Sequence, residues 1–344
     1  MDLTLQKKDR FKSFGGWGAA VVAVWILNFF IQDMVDPYIF SVIMYAGINI
    51  TLAVSLNLIN GFTGQFSMGH AGFMSVGGYL SAFIFMNLPP EFSHDPILSQ
   101  FTFVGALIVA GLGAALIGYI VGLPSLRLRG DYLAIVTLGF GEIIRVIILN
   151  VDAIGGARGL PSIPQLSSFA WVYTVAVVTT FTIWQLIKSS QGRAFMSVRE
   201  DEIAAESMGV DTTKTKVQAF VIGAFFAGIA GALFGHYLRY LNPQTFDFNR
   251  SFEIIIIVVL GGMGSITGSI FSAVLLTALK EVLRDLKEYT GVDLRMIIYS
   301  LLLIIFMLTR PNGIFGTREL PEIISDLKKK FGYRKKSDKV GSKS

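Results

Sequence analysis

Residues 101–122 read FTFVGALIVAGLGAALIGYIVG, twenty-two positions without a charged side chain. A hydrocarbon core of roughly 30 Å takes about 20 apolar residues of α-helix to cross, and with no water inside it every backbone N–H and C=O must find a partner in the protein. Working outward from this run, similar segments occur at 17–32, 38–59, 66–87, 131–150, 169–188, 217–238, 251–262, 266–283 and 294–309. They are continuous rather than alternating every second residue, which favours helices over a barrel. The expected fold is an all-α polytopic integral membrane protein of about ten membrane helices (eight to ten), some of them broken or re-entrant. The segment at 251–262 is too short to cross alone.

The whole chain agrees with that reading: 53% of its 344 residues are hydrophobic and 15% charged, and its mean hydropathy is +0.60, far outside the range of a soluble domain. Cysteine is absent, which removes disulfides, thiolate metal sites and a cysteine nucleophile. The formal charge of +5 would suit nucleic acid, but the basic residues gather at the termini and in short loops, so orientation in a bilayer accounts for them and no nucleic-acid partner is expected. Lys7, Lys8, Arg10 and Lys12 precede the first apolar run as they would in a secretory leader, yet no small-residue cleavage site follows, and an uncleaved first membrane helix is expected.

Counting Lys and Arg in short loops places both termini in the cytoplasm. Arg127, Arg129, Lys188, Arg193, Arg199, Lys214, Lys216 and the basic tail fall inside, while 88–100 has no basic residue and 151–168 has only Arg158. The loop at 284–293 is balanced, with Arg284 and Lys287 against Asp285 and Glu288. The domain organisation expected is one transmembrane domain over 1–320, with a cytoplasmic loop at 189–216, and a basic cytoplasmic tail over 321–344.

Two glycine-rich interruptions join apolar runs. The first is Gly61-Phe62-Thr63-Gly64-Gln65-Phe66-Ser67-Met68-Gly69-His70-Ala71-Gly72, and the second is Gly261-Gly262-Met263-Gly264-Ser265-Ile266-Thr267-Gly268-Ser269. Glycine costs roughly 1 kcal/mol in a helix interior but permits sharp breaks and close packing. Either the glycines serve tight helix packing, or Gly64, Gln65, Ser67, His70, Gly262, Gly264 and Ser265 line a translocation path. An odd number of spans per half suggests an inverted repeat. Neither segment has the lysine of a phosphate-binding loop, so ATP binding by this chain is not expected.

His70, His94 and His236 are isolated from one another and show no metal-ligand spacing, so no metal site is expected. His94 falls in an external loop as a solvated side chain, and His236, near Arg239 at a helix end, is expected at the membrane interface. Glu142 and Arg145 lie within a span at i,i+3 spacing, which suits either a structural ion pair or a place on the path of a zwitterionic solute. The polar island at 188–216 reads as a short helix over 198–208 with acidic residues in its first turn, stopped at Gly209. Its apolar positions are Val198, Ile203, Ala205 and Met208, and the small Ala204-Ala205 pair permits close approach of a partner surface.

In that island the chain resembles the permease subunits of ATP-binding-cassette importers, whose coupling loop follows the pattern E-A-A-x-x-x-G. Ile203-Ala204-Ala205 and Gly209 match it, with Ile203 where the glutamate is expected; Arg199, Glu200, Glu202 and Glu206 complete the segment. Nearly the whole chain is similar to the high-affinity branched-chain amino acid permeases of the LivM type. The matching segments are Leu56-Asn57-Leu58, Gly64-Gln65, Gly69-His70-Ala71, Leu126-Arg127-Leu128-Arg129-Gly130-Asp131-Tyr132, Val259-Leu260-Gly261-Gly262-Met263-Gly264-Ser265 and Arg310-Pro311-Asn312-Gly313-Ile314-Phe315-Gly316. The resemblance implies a prokaryotic inner-membrane heterodimer with a homologous LivH-type permease. It further implies two cytoplasmic ATPases carrying ATP and magnesium, an extracytoplasmic solute-binding protein, and leucine, isoleucine or valine as cargo. No cofactor or catalytic residue is expected on this chain. Sister systems carry urea or short amides; an ion-coupled transporter built on Glu142 and Arg145 and an intramembrane enzyme are the other classes weighed.

Overall fold

The computed structural model describes residues 3–89, 92, 95–126, 128, 130–290, 298, 301, 304–305, 308–309 and 313–320. His94, Arg127, Arg129, Arg310, most of the run at 294–309 and the tail at 321–344 lie outside the described residues. The helices are α1 (Leu3–Met34), α2 (Pro37–Asn57), α3 (His70–Asn87), α4 (Pro96–Ser125), α5 (Asp131–Asn150), α6 (Phe169–Lys188), α7 (Ser190–Glu200), α8 (Glu202–Ser207), α9 (Thr212–Leu238), α10 (Phe248–Gly261) and α11 (Ile266–Thr290). Among the described residues the only β pairing is an isolated bridge between Leu160 and Leu241.

Among the described residues, six helical stretches are long and apolar enough to cross a membrane: Pro37–Phe62, Ile97–Ser125, Tyr132–Asn150, Phe169–Lys188, Thr212–Leu238 and Ile266–Leu283. A further apolar helical stretch, Gly15–Ile31, is shorter. The run expected from residue 66 enters helix only at His70, because the preceding residues turn non-helically against α5. The short eighth run is α10, whose 14 residues span about 21 Å at about 1.5 Å per residue. Part of the loop expected at 284–293 is instead the end of α11.

Local chemistry sets the helix starts. Asp36 and Asp95 accept hydrogen bonds from Tyr38 N (2.8 Å) and Ile97 N (3.0 Å), and each is followed by proline at the first helical position, where a missing N–H costs nothing. Asp211 and Asp247 cap α9 and α10 in the same way, through Lys214 N at 2.9 Å and Arg250 N at 3.1 Å.

The centre of the bundle is α9, packed on α3, α4 and α2. Lipid tails are as apolar as the side chains, so association here rests on close packing rather than on the hydrophobic effect. The sequence supplies the means: Gly77 of α3 faces Gly228 of α9, and Gly231 lies against the Met74 carbonyl, each so tightly that a Cβ would collide with backbone. The outer faces of α4 and α5 stay apolar and exposed, at Ile108, Leu112, Leu116, Tyr132, Ile135 and Ile143.

The packing predicts a contrast between two glycines. Gly77→Leu should lower the thermal midpoint of the detergent-purified protein by the equivalent of at least about 1–3 kcal/mol, since backbone cannot yield as a side chain does. Gly105→Ala, with open space around it, should change stability by less than about 1 kcal/mol. Equal midpoints for the two variants would contradict a glycine-mediated core.

Candidate functional site

The polar island folds as two helices, not as the single helix expected over 198–208. Asp201 breaks it: its backbone is extended, and its Oδ1 accepts from Ile203 N at 2.9 Å and Ala204 N at 3.0 Å, which ends α7 and starts α8. A carboxylate that caps a new N-terminus competes with continuation of the old helix. The expected stop stands, since Gly209 takes φ of +85°, where a side chain would be strained. Phe195 and Val198 bury α7 against the bundle, and Ala205 buries α8. Glu202 pairs with the buried Lys216 of α9 at 2.7 Å. Ile203 is 66% and Met208 86% exposed, with Ala204 exposed beside them and the polar Asp201, Glu206 and Ser207 outward around them.

The two glycine-rich interruptions pack directly against each other. A π-helical turn, Leu58–Phe62, ends α2, and a Cβ on Gly61 would strike the Gly264 amide. Asn57, fully buried, joins them: its Nδ2 donates to the Ser265 carbonyl and to Ser269 Oγ, each at 2.9 Å, while its Oδ1 accepts from Gly264 N at 2.9 Å. Gly262 and Gly264 have φ of +115° and +93°, so the turn between α10 and α11 requires them. The segment around residues 314–320 closes the site: Ile314 N donates to the Leu260 carbonyl at 2.9 Å, and Glu319 caps α11 by accepting from Ile266 N at 2.8 Å and Thr267 N at 3.1 Å. Both breaks turn the chain at the same end of the bundle.

Arg199 ties the island to the breaks. Its Nη1 donates to the Gly61 carbonyl at 3.2 Å, its stem lies along Gly64, and Glu200 holds its Nε at 3.0 Å. A cleft of about 340 Å³ opens beside it, lined by Asn60, Gly64, Val259 and Met263 among others. Of the residues expected on a path, Gln65, Ser67 and His70 are buried just behind the first break. Ser55 Oγ holds His70 Nε2 at 2.9 Å, but both amide atoms of Gln65, Ser67 Oγ and His70 Nδ1 have no partner among the described residues. An unpaired buried polar group costs about 1–3 kcal/mol, so these atoms are poised to take a hydrogen bond from water or a solute.

Glu142 and Arg145 stand apart from this cluster. They pair within α5, Arg145 Nε donating to Glu142 Oε1 at 2.8 Å, and both remain partly exposed. His236 departs from its expected interfacial place. It is fully buried, between Ser81 Oγ and the Pro164 carbonyl at 2.9 Å each and flanked by Phe85 and Phe103, because the segment before α6 folds over the end of α9. Among the described residues no group of three or more His, Cys, Asp and Glu could hold a metal. The residues that sequence reasoning missed are Asn57, Asn49 and the charged set on α10 and α11; the polar interruptions in the apolar runs of α2 were their signal.

Residues 38–307 match the model of the family described as "Branched-chain amino acid transport system / permease component". The chain is 36% identical to the high-affinity branched-chain amino acid transport system permease protein LivM of Salmonella typhimurium, over 84% of this chain and 71% of that protein. It is 26% identical to the probable branched-chain amino acid transport permease protein LivM of Methanocaldococcus jannaschii, over 84% of this chain and 96% of that one. It is also 26% identical to the permease protein LivH of Escherichia coli, over 79% and 92% of the two chains. No solved structure matches the chain.

Removing the amide that joins the breaks tests the geometry. Asn57→Ala should cost about 1–3 kcal/mol, because it leaves the Gly264 amide buried and unpaired. Hydrogen exchange should accelerate at Gly264 and Ser269 while the amides of α6 stay protected; unchanged exchange at residue 264 would refute the joint.

Proposed function

The chain belongs to the branched-chain amino acid transport system permease family, and from that membership we propose that it is the translocation subunit of an ATP-driven importer for leucine, isoleucine and valine. The observation that carries the coupling part of this reading is the α7–α8 segment. It offers an exposed apolar face at Ile203, Ala204 and Met208 on one side and grips the Gly61 carbonyl through Arg199 on the other. Such a segment suits a partner that pushes. An ion-coupled transporter has no use for it, and Glu142 with Arg145 satisfy each other within one helix.

In this reading one of two cytoplasmic ATPases seats on α8, and the two carry the ATP and magnesium; this chain performs no catalysis. A LivH-type permease completes the path, and an extracytoplasmic binding protein delivers the solute in the prokaryotic inner membrane. In this reading the chain has ten spans with both termini inside, α10 being the short member and the run at 294–309 the last. ATP-driven closure moves α8, Arg199 carries the displacement to the two breaks, and the unpaired groups of Gln65, Ser67 and His70 meet a passing solute. Residues 1–320 form the transmembrane domain and 321–344 a basic cytoplasmic tail.

Uptake of labelled leucine into membrane vesicles tests the reading. It should need ATP and the partner subunits, and transport by the purified chain alone would sink it. Ile203→Arg should strip the ATPases from the purified complex. Arg199→Ala should leave them bound but lower uptake at least tenfold, equal to about 1.4 kcal/mol of coupling; full uptake by Arg199→Ala would remove that residue from the linkage.

A further inference from the structure

At the end of the bundle opposite α8, where α2, α9, α10 and α11 converge, lies a cavity of about 460 Å³. Its wall carries charges of both signs deep in the helical part of the protein. Arg250 Nη1 and Lys280 Nζ both reach Glu253, at 3.0 and 2.7 Å, so two cations share one carboxylate. Arg250 Nη2 donates to Asn49 Oδ1 at 2.9 Å, and Asn49 Nδ2 donates to Thr277 Oγ1 at 2.9 Å. Arg250 Nε, buried, has no partner among the described residues. Asp247 and Glu281 line the same cavity.

Gln244, Thr245 and Asn249 add neutral polar groups, and one part of the wall is apolar. Tyr45 and Phe234 stack with ring centroids 6.3 Å apart, Leu238 lies beside them, and the Arg250 guanidinium sits 5.8 Å from the centre of the Phe234 ring. Ionisable residues are expensive within membrane helices and characteristically mark solute pathways. Lys280 and Glu281 lie in the last turn of the span-capable stretch Ile266–Leu283, where Lys280 pairs with Glu253 of α10 and Glu281 accepts from the Tyr38 hydroxyl of α2 at 2.8 Å.

We propose that this cavity is a binding site for the zwitterion of an aliphatic α-amino acid, a waypoint between the outer face and the breaks. The α-carboxylate takes the cations Arg250 and Lys280, with Arg250 Nε, unpartnered among the described residues, as a donor. The α-ammonium faces the acidic residues Asp247 and Glu281, and the aliphatic side chain lies against Tyr45, Phe234 and Leu238. A ligand lacking either charge leaves part of the wall unmatched. One lacking the side chain leaves the aromatic part exposed. The inference rests on the import function above and names where on this chain the cargo is received.

The test uses the complete transporter, purified through this chain and reconstituted in lipid nanodiscs. A diazirine-bearing analogue of leucine is photolysed in it and the adducts are mapped by mass spectrometry. Adducts on Tyr45, Phe234 or Leu238 are expected. Leucine should suppress them at least tenfold, whereas isopentylamine, without the carboxylate, and 4-methylpentanoate, without the ammonium, should not. Lys280→Met, at a half-exposed position that folding tolerates, should raise the KM for uptake roughly tenfold with a smaller change in kcat, the loss expected for one charge-assisted contact. If the wild type imports leucine with ATP yet labels elsewhere, or if the two one-charge analogues compete as well as leucine, the site is overturned and the import function stands. If the wild type imports no branched-chain amino acid, the function itself fails and the site with it.

Discussion

Everything at the α8 end of the molecule depends on one buried contact, the meeting of the Gly61 and Gly264 backbones across the side chain of Asn57. Irregular backbone at membrane depth survives only when protein or a water-filled path encloses it. Here each break encloses the other, and a single amide supplies a donor to one side of the turn and an acceptor to the other. The absence of side chains at Gly61 and Gly264 is what lets the segments touch. Arg199 adds a handle to that joint from outside the bundle, and Glu319 fixes the helix that leaves it.

Helices α2 and α11 extend this joint through the protein. Asn57 meets Ser269 at the level of the breaks and Asn49 meets Thr277 at the level of the cavity, with eight residues between the two rungs on each helix, or about 12 Å. The pair is tied by these two amide–hydroxyl bonds and, nearer the far end, by the Tyr38 hydroxyl donating to Glu281 at 2.8 Å. A displacement delivered at the breaks reaches the wall that holds Lys280 without any other contact having to transmit it. On the far side, α9 is packed into α3 by glycine against glycine and into α4 by glycine against alanine.

How much of this was legible in the sequence follows from the range of the interactions. The runs at 131–150 and 169–188 coincide with α5 and α6, and the short run at 251–262 falls on α10, because apolar length and local caps set those boundaries. The stop at Gly209 was legible for the same reason. The break at Asp201 was within reach, since an aspartate ahead of a short helical turn is a cap, but the acidic residues around it read equally well as one continuous first turn. Burial of His236 and the link from Arg199 to Gly61 join residues far apart in the chain, and no periodicity announces them. Asn49 and Asn57 looked like blemishes in an apolar run; their meaning lies in what α11 places opposite. The family resemblance, carried by the Ile203-Ala204-Ala205 and Gly209 pattern with the glycine segments, was borne out by the match over residues 38–307.

The central claim is that the α8 segment and the two breaks move as one body. The chain has no cysteine, so spin labels can be placed in pairs without removing native thiols. Distances between labels at Ser207 and Met263, and between Ser207 and Asn150 on α5, should be measured in the assembled transporter without nucleotide and with ATP trapped. A rigid linkage predicts an unchanged distribution between 207 and 263 while the distance from 207 to 150 shifts. A change between 207 and 263 as large as that between 207 and 150 would contradict it.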